Sequence, residues 1–334
     1  MKKYSIIIPV YNRPIEIKEL LESMVNQTYK NYEMIIVEDG SDERCEDVVN
    51  EYEDRIDLKY FYKENTGPGF SRNYGMERAE GAFLLFFDSD CLIPADYLAK
   101  VEAFMEKTPL DAYGGPDAAH PSFSDMQKAI DYSMTSFITT GGIRGKEKQV
   151  DNFQPRSFNM GINREVYEKV GGFREIHPGE DPDLSYRIMD AGFRVGLIPE
   201  AFVYHKRRID LQKFKKQVYK FGVVRVILSK WYPNRRKIIY AFPTLFLLGV
   251  VALVMLGTFV SWYFFLPLVL FSIVIFIDAL IKTGHIKIAG MAVVTSFIQM
   301  MYYGYGFLKG WWQIKVLKKN ERKAFKDMFF EQKR

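Results

Sequence analysis

Cysteine is scarce in this 334-residue chain. The two present, Cys45 and Cys91, form no CxxC pair, which argues against a disulfide framework or a zinc site and for a reducing compartment. Acidic residues almost vanish between His205 and Lys237, where 12 Lys/Arg stand against Asp210 alone. Residues 1–204 carry 36 Asp/Glu against 23 Lys/Arg, so a net of −13 precedes a basic stretch of net +11. Charge is missing altogether over the 40 residues from Ile238 to Ile277. One helix of that length would measure ~60 Å, twice the ~30 Å of a hydrocarbon core, so two crossings fit better. Gly257, Thr258 and Ser261 mark the turn, giving spans near 238–257 and 262–281. At the start, MKKYSIIIPVYN has too short an apolar run before Pro9 for a signal peptide and is expected to be the first buried strand.

The basic stretch lies immediately before the first span, so the positive-inside rule places residues 1–237 in the cytoplasm, on a multi-pass protein of the cell inner membrane. A third apolar run, Ile288–Leu308, would as a span carry outside a tail with 9 Lys/Arg against 3 acidic residues from Lys309 onward. Two spans with an interfacial or re-entrant third segment are therefore preferred. The expected organisation is a catalytic domain over 1–204, a basic amphipathic juxtamembrane segment over 205–237, a transmembrane hairpin over 238–281, and the third apolar segment with a basic cytoplasmic tail over 282–334. DLQKFKKQVYKFGVVRVILSKW is expected to form a helix docked on the anionic inner leaflet.

Within residues 1–204, apolar runs alternate with helical patterns: SIIIPV, YEMIIVEDGS, LKYFYKE and AFLLFFDSD are separated by IEIKELLESMVNQ, ERCEDVVNEYEDR and SRNYGMERAEG. That alternation predicts an α/β fold, a mainly parallel sheet with helices on both faces, in which ligands bind beyond the carboxyl ends of the strands. Residues 9–12, 38–41, 64–69 and 88–90 should then meet at one edge. In FFDSDC, Asp88 and Asp90 lie two residues apart in extended chain and point the same way. Two such carboxylates suit a hard divalent cation that is shared with a substrate phosphate. By itself DSD is also a common solvated turn.

IIIPVYNR, IIVEDGS, ENTGPGFSRN, FFDSD, NMGINREVYEKVGGF and GEDPDLSYR, in that order and spacing, resemble the family 2 glycosyltransferases of the GT-A (Rossmann-like) fold over residues 1–205. The resemblance implies an inverting, metal-dependent enzyme using a nucleotide-diphosphate sugar, a UDP-sugar being favoured, with Mg²⁺ or Mn²⁺ as cofactor. It implies that Pro9, Tyr11 and Asp39 hold the base, that Arg72 lies near the base or diphosphate, and that Asp88 lies near the ribose and metal. Asp90 and His205 would complete the metal site. Glu38 stands where the family often has another Asp.

The family's ED pair falls at Glu180 and Asp181, making Asp181 the base that takes the proton from the attacking hydroxyl; an Asp before Pro182 also reads as a helix cap. Asn159, Met160 and Glu180 are expected on the acceptor side, with 136–149 as a mobile loop over the site and Cys91 as packing. Membrane anchoring suggests a lipid-linked saccharide acceptor, and no nucleic-acid partner is expected. The alternatives are transfer to a polyprenyl phosphate, a processive polysaccharide synthase (whose QxxRW signature is absent after the ED pair), and an inactive GT-A membrane scaffold.

Overall fold

The structure is a computed structural model describing residues 3–118, 120, 122–140, 153–206 and 210–331. The chain divides into two compact units, the first built from Met1–His120, Asp151–Lys206 and Phe329–Arg334, the second from Pro121–Val150 and Arg207–Met328. Chain order therefore does not follow the linear boundary at residue 204, since 121–150 clusters with the C-terminal helices and the last residues rejoin the first unit.

The first unit is a seven-stranded sheet in the order β3-β2-β1-β4-β8-β6-β9. Its strands are β1 (Tyr4–Val10), β2 (Tyr32–Asp39), β3 (Leu58–Lys63), β4 (Phe83–Phe87), β6 (Ala112–Gly114), β8 (Asn159–Asn163) and β9 (Val195–Leu197). Neighbouring strands are parallel except for β8, which is antiparallel to both β4 and β6. Central β1 reads as a continuous apolar run because both of its faces are covered. Ile6, Ile8 and Val10 pack with Ile17, Leu20, Leu21 and Met24 of the helix Pro14–Val25 on one face. Ile7 packs with Ile35, Val37 and Met76 on the other. At roughly 1.5–3 kcal/mol for each fully buried branched side chain, this two-sided burial fixes the register that brings the carboxyl ends of β1, β2 and β4 together.

A second, three-stranded sheet is formed by β5 (Cys91–Leu92), β10 (Val203–His205) and β7 (Asp117–Ala118) in the order β5-β10-β7. Its pairing sets His205 opposite Cys91.

The second unit is helical. The juxtamembrane helix Leu211–Trp231 appears where the basic amphipathic pattern predicts it, capped by Asp210, whose carboxylate accepts from the N–H groups of Gln212 and Lys213. Its close-packed face differs from expectation. Gly222 lies so close to the backbone at Tyr303 and Phe307 that a Cβ would be 2.1 Å from the Tyr303 carbonyl oxygen. Much of the face expected to meet lipid is thus packed on another helix.

Among the described residues, three helices are long and apolar enough to cross a membrane, over Ile238–Phe259, Trp262–Thr283 and Ile286–Val316. The first two carry many exposed leucine, valine and phenylalanine side chains, which suits a lipid surround rather than water. The third is one continuous helix from Ile286 to Trp311 rather than a re-entrant loop. Of the expected loop over 136–149, Ser136 is the C-cap of the helix Asp125–Thr135, residues 137–140 form a short helix, and 141–149 lie outside the described residues.

Candidate active site

The loops after β1, β2 and β3 are tied together by polar side chains. Asn12, with φ of 53°, donates its N–H to Ser41 Oγ at 2.7 Å and accepts from the N–H groups of Asp42 and Glu43 at 2.8 and 3.1 Å. Asp39 accepts from Thr66 N–H at 3.0 Å on Oδ1 and from Gly67 N–H at 2.8 Å on Oδ2, and Lys63 also bonds Oδ1. Glu38 is buried and bonds Ser41, the Cys45 N–H and Tyr60, so this position shapes the β2 loop from inside. Pro9 is half-buried, and Tyr11 is exposed beside the same loops.

Two arginines each hold one oxygen of the Asp pair. Arg72, buried on the helix Pro68–Met76, donates to Asp88 Oδ1 at 2.6 Å. Arg13, just beyond β1, donates to Asp90 Oδ2 at 2.5 Å. The other two oxygens face His205, whose Nε2 lies 3.2 Å from Asp90 Oδ1 and 3.8 Å from Asp88 Oδ2. Burial opposes ionisation of Asp90, but His205 and then Arg13 outweigh it and hold the carboxyl well below its usual range.

This geometry answers whether the residues fit a divalent cation. Octahedral ligands at ~2.1 Å and right angles sit ~3 Å apart, close to the spacing of Asp90 Oδ1 and His205 Nε2. Two carboxylate oxygens and an imidazole nitrogen suit Mg²⁺ or Mn²⁺. The ligand atoms of Asp90, Cys91 and His205 all lie within 4.8 Å of one another, and Asp88 stands outside this group with its Oδ2 3.8 Å from His205 Nε2. Burial pushes the Cys91 thiol well up, and Cys91 belongs to the apolar core, which agrees with packing.

Glu180 and Asp181 open the helix Glu180–Asp190. The cap is Gly179, with φ of 128°, and no side chain caps the helix, so Asp181 does not serve as the cap that its place before Pro182 suggested. Asp183 anchors this end instead, bonding Arg174 and Arg187, while Arg187 donates to the carbonyls of Val170 and Gly172. Asp181 Oδ1 is buried without a hydrogen-bond partner. Burial, then the charge of Glu180, push Asp181 up to about 6 against the opposing pull of Arg72 and Ser157. Glu180 moves the other way. Burial opposes its ionisation, but His177, with Nδ1 at 2.7 Å, and Arg72 at 3.7 Å hold it below its usual range. The two adjacent carboxyls are thereby driven apart, Glu180 downward and Asp181 upward.

Asn159 and Met160 require correction. Asn159 is fully buried; its Oδ1 accepts from the Tyr97 hydroxyl at 2.5 Å, and its Nδ2 donates to the carbonyls of Ala201 and Pro116. Met160 lies in the core with Phe86 and Leu184. β8 is a central strand, so these side chains brace the sheet beneath the site. Glu180 is likewise buried among His177 and Arg72. Sequence reading missed Arg13 and His177. A basic residue directly after the β1 carboxyl end marked the first, and i, i+3 spacing to Glu180 marked the second.

A mainly parallel sheet with two aspartates at its carboxyl edge and a carboxylate-led helix beside them defines a GT-A glycosyltransferase fold. Residues 5–171 match the family model Glycosyl transferase family 2, and the chain belongs to that family. It is 26% identical over 213 residues to the minor teichoic acid biosynthesis protein GgaB of Bacillus subtilis strain 168, covering 62% of this chain and 23% of that protein. It is 27% identical over 237 residues to the glycosyltransferase AglE of Haloferax volcanii, covering 69% of this chain and 75% of that one. The chain spans 23% or less of the first four curated relatives it matches. In structure it is similar to the mannosyltransferase PcManGT from Pyrobaculum calidifontis in complex with GDP-Man and Mn²⁺, with TM-score 0.66, 15% identity and coverage of 93% and 87%. It is also similar to S. aureus TarS 1–349, with TM-score 0.50, 18% identity and coverage of 96% and 93%.

Proposed function

We propose that the chain is an inverting glycosyltransferase that moves a sugar from a nucleotide-diphosphate donor to a lipid-linked saccharide at the cytoplasmic face of the inner membrane. The observation that carries this reading is the pairing of two kinds of carboxylate in one unit: Asp88 and Asp90, each with one oxygen held by arginine and one turned to His205, and Asp181, half-buried with its Oδ1 enclosed and unpartnered.

Asp181 accepts the proton of the acceptor hydroxyl at its unpartnered Oδ1, and the acceptor oxygen then bonds the anomeric carbon as the diphosphate departs from the opposite face. A divalent cation bound at Asp88, Asp90 and His205 would neutralise the departing diphosphate. Arg72 holds Asp88 on the donor side, and its Nε is buried and unpartnered. Pro9, Tyr11 and Asp39 form the base side. Asp39 has one acceptor position left on Oδ2, which suits the N3–H of uracil. Glu180 keeps Asp181 basic by its charge instead of touching the acceptor.

The apolar helices and the name of the teichoic acid relative support a membrane-borne acceptor for surface polysaccharide. Two or three apolar helices are few for the translocation channel of a processive synthase, and the poised Asp181 argues against an inactive scaffold. The test is purified protein in detergent with a panel of UDP- and GDP-sugars and Mn²⁺, reading donor hydrolysis and thermal stabilisation. One or a few donors should stabilise the protein and be turned over, and EDTA should abolish both effects. Full turnover in EDTA would overturn the metal-assisted mechanism, and indifference to every donor would overturn the enzyme reading.

A further inference from the structure

We infer that the chain crosses the membrane twice and that the third apolar helix, Ile286–Trp311, lies along the membrane surface at the face where the hairpin begins and ends. This rests on reading the first two apolar helices as a membrane hairpin.

The first observation is where the chain returns to the catalytic unit. Phe329 forms an isolated antiparallel bridge with Ile176, and the Phe330 N–H donates to the Glu175 carbonyl at 2.9 Å. The Phe330 ring lies 6.1 Å from that of His177 and occupies the space where a Cβ on Gly67 would fall. The chain thus leaves the catalytic unit after Lys206 and rejoins it at Phe329. A chain that leaves one unit and rejoins it crosses a membrane an even number of times between those points. Three crossings are excluded, although three helices are long and apolar enough.

Contacts within the helical unit show which helix does not cross. The third is the least apolar of the three, with mean hydropathy 1.2 against 2.4 and 2.7. Its first turns, at Ile288, Ala289 and Ala292, cluster with Ile275 and Ala279 near the end of the second apolar helix, Leu266–Thr283. Gly304 then lies against Pro243 and Thr244, in the first turn of the first apolar helix, Phe242–Phe259. In a hairpin, the end of one arm and the start of the other share a membrane face. The third helix therefore passes from arm to arm at that face. At the opposite tip Phe259, Val260, Trp262 and Tyr263 stay exposed. Beyond Gly304 the helix continues onto Tyr219, Val223 and Val226 of the juxtamembrane helix, to which the following tail is also tied through Lys220–Asp327 and Lys230–Glu321.

The outer surface of this helix has the chemistry of a headgroup layer. Tyr302, Tyr305, Trp311 and Trp312 are exposed, as aromatic residues are at a bilayer interface. They lead to a cavity of about 590 Å³ lined by Lys309, Gln313, Lys319, Asn320, Lys323 and Ala324, three ammonium groups and no carboxylate. Lipid phosphates are the anions available at that depth.

The test uses the whole 334-residue chain in a cell membrane. Cys45 and Cys91 are buried and should stay silent to a membrane-impermeant maleimide. Single cysteines are introduced by Glu53→Cys in the catalytic unit, Val260→Cys at the hairpin tip and Glu331→Cys in the tail, and are labelled in intact cells and in inverted vesicles. Glu53→Cys and Glu331→Cys should react from one side and Val260→Cys from the other. Labelling of Glu331→Cys from the side of Val260→Cys would mean three crossings and would overturn the inference, as would labelling of all three from one side. The readout does not involve sugar transfer, so it can fail or succeed independently of the proposed activity.

Discussion

His205 Nε2 lies 3.2 Å from Asp90 Oδ1, the oxygen that Arg13 does not hold. If these atoms share a divalent cation, His205→Ala should raise the Mn²⁺ concentration giving half-maximal activity by ~10- to 100-fold while leaving the maximum within reach at high metal. Titration of activity against Mn²⁺ checks this. An unchanged metal requirement would make His205 a mere ion-pair partner of Asp90.

Asp181→Asn should cost ~10² to 10⁴ in kcat with little change in donor affinity, because the variant keeps the size of the side chain but cannot take a proton. In the parent, kcat/KM should rise with pH through about 6 as Asp181 ionises. Near-normal kcat in the variant would remove Asp181 from the mechanism.

Stability should show the opposite trend. A carboxyl raised on folding contributes stability below its unfolded value, and that stability is lost as pH rises through its folded value of about 6. Asp181→Asn should therefore have a Tm at or above the parent's at pH 8, with any advantage fading toward pH 4. A Tm several degrees lower at pH 8 would mean that the ionised carboxylate stabilises the fold.

Gly67 adopts φ of 90°, and a Cβ there would fall 2.5 Å from the Phe330 ring. With ψ of 163° this is a region open almost only to glycine, so Gly67→Ala should cost roughly 1–3 kcal/mol from the backbone alone and more from the clash. The double variant Gly67→Ala/Phe330→Ala should recover the clash and keep the backbone cost. Thermal melts of the three variants separate the two contributions, and additive losses would show that the ring does not pack on this loop.

Glycines on the apolar helices should divide by environment. A Cβ at Gly304 or Gly306 would meet a backbone carbonyl oxygen at 2.2 or 2.1 Å, so alanine at either should destabilise the detergent-solubilised protein. Gly249 has nothing within 4 Å, and alanine there should gain up to ~1 kcal/mol of helix propensity. Melting temperatures of the three single variants check the sign of each effect.

The features legible along the chain were local ones. Apolar runs broken by helical patterns implied a parallel sheet, and the rule that ligands gather beyond its carboxyl ends pointed to Asp39, Asp88 and Asp90 before any contact was known. Extended geometry put Asp88 and Asp90 on one side, since i and i+2 always share a face. The length of the charge-free run marked the hairpin because membrane thickness is a fixed ruler.

Tertiary structure alone decided which oxygens are held. The partner of Asp90 comes from Arg13, 77 residues earlier, and His205 arrives because β10 pairs with β5. It also decided that Asn159 braces the core, that Gly179 rather than Asp181 caps the helix, and that the chain returns to its first unit at Phe329. Each of these depends on strand order and on side-chain packing between segments distant in sequence, and periodicity along the chain carries no record of which distant segments meet.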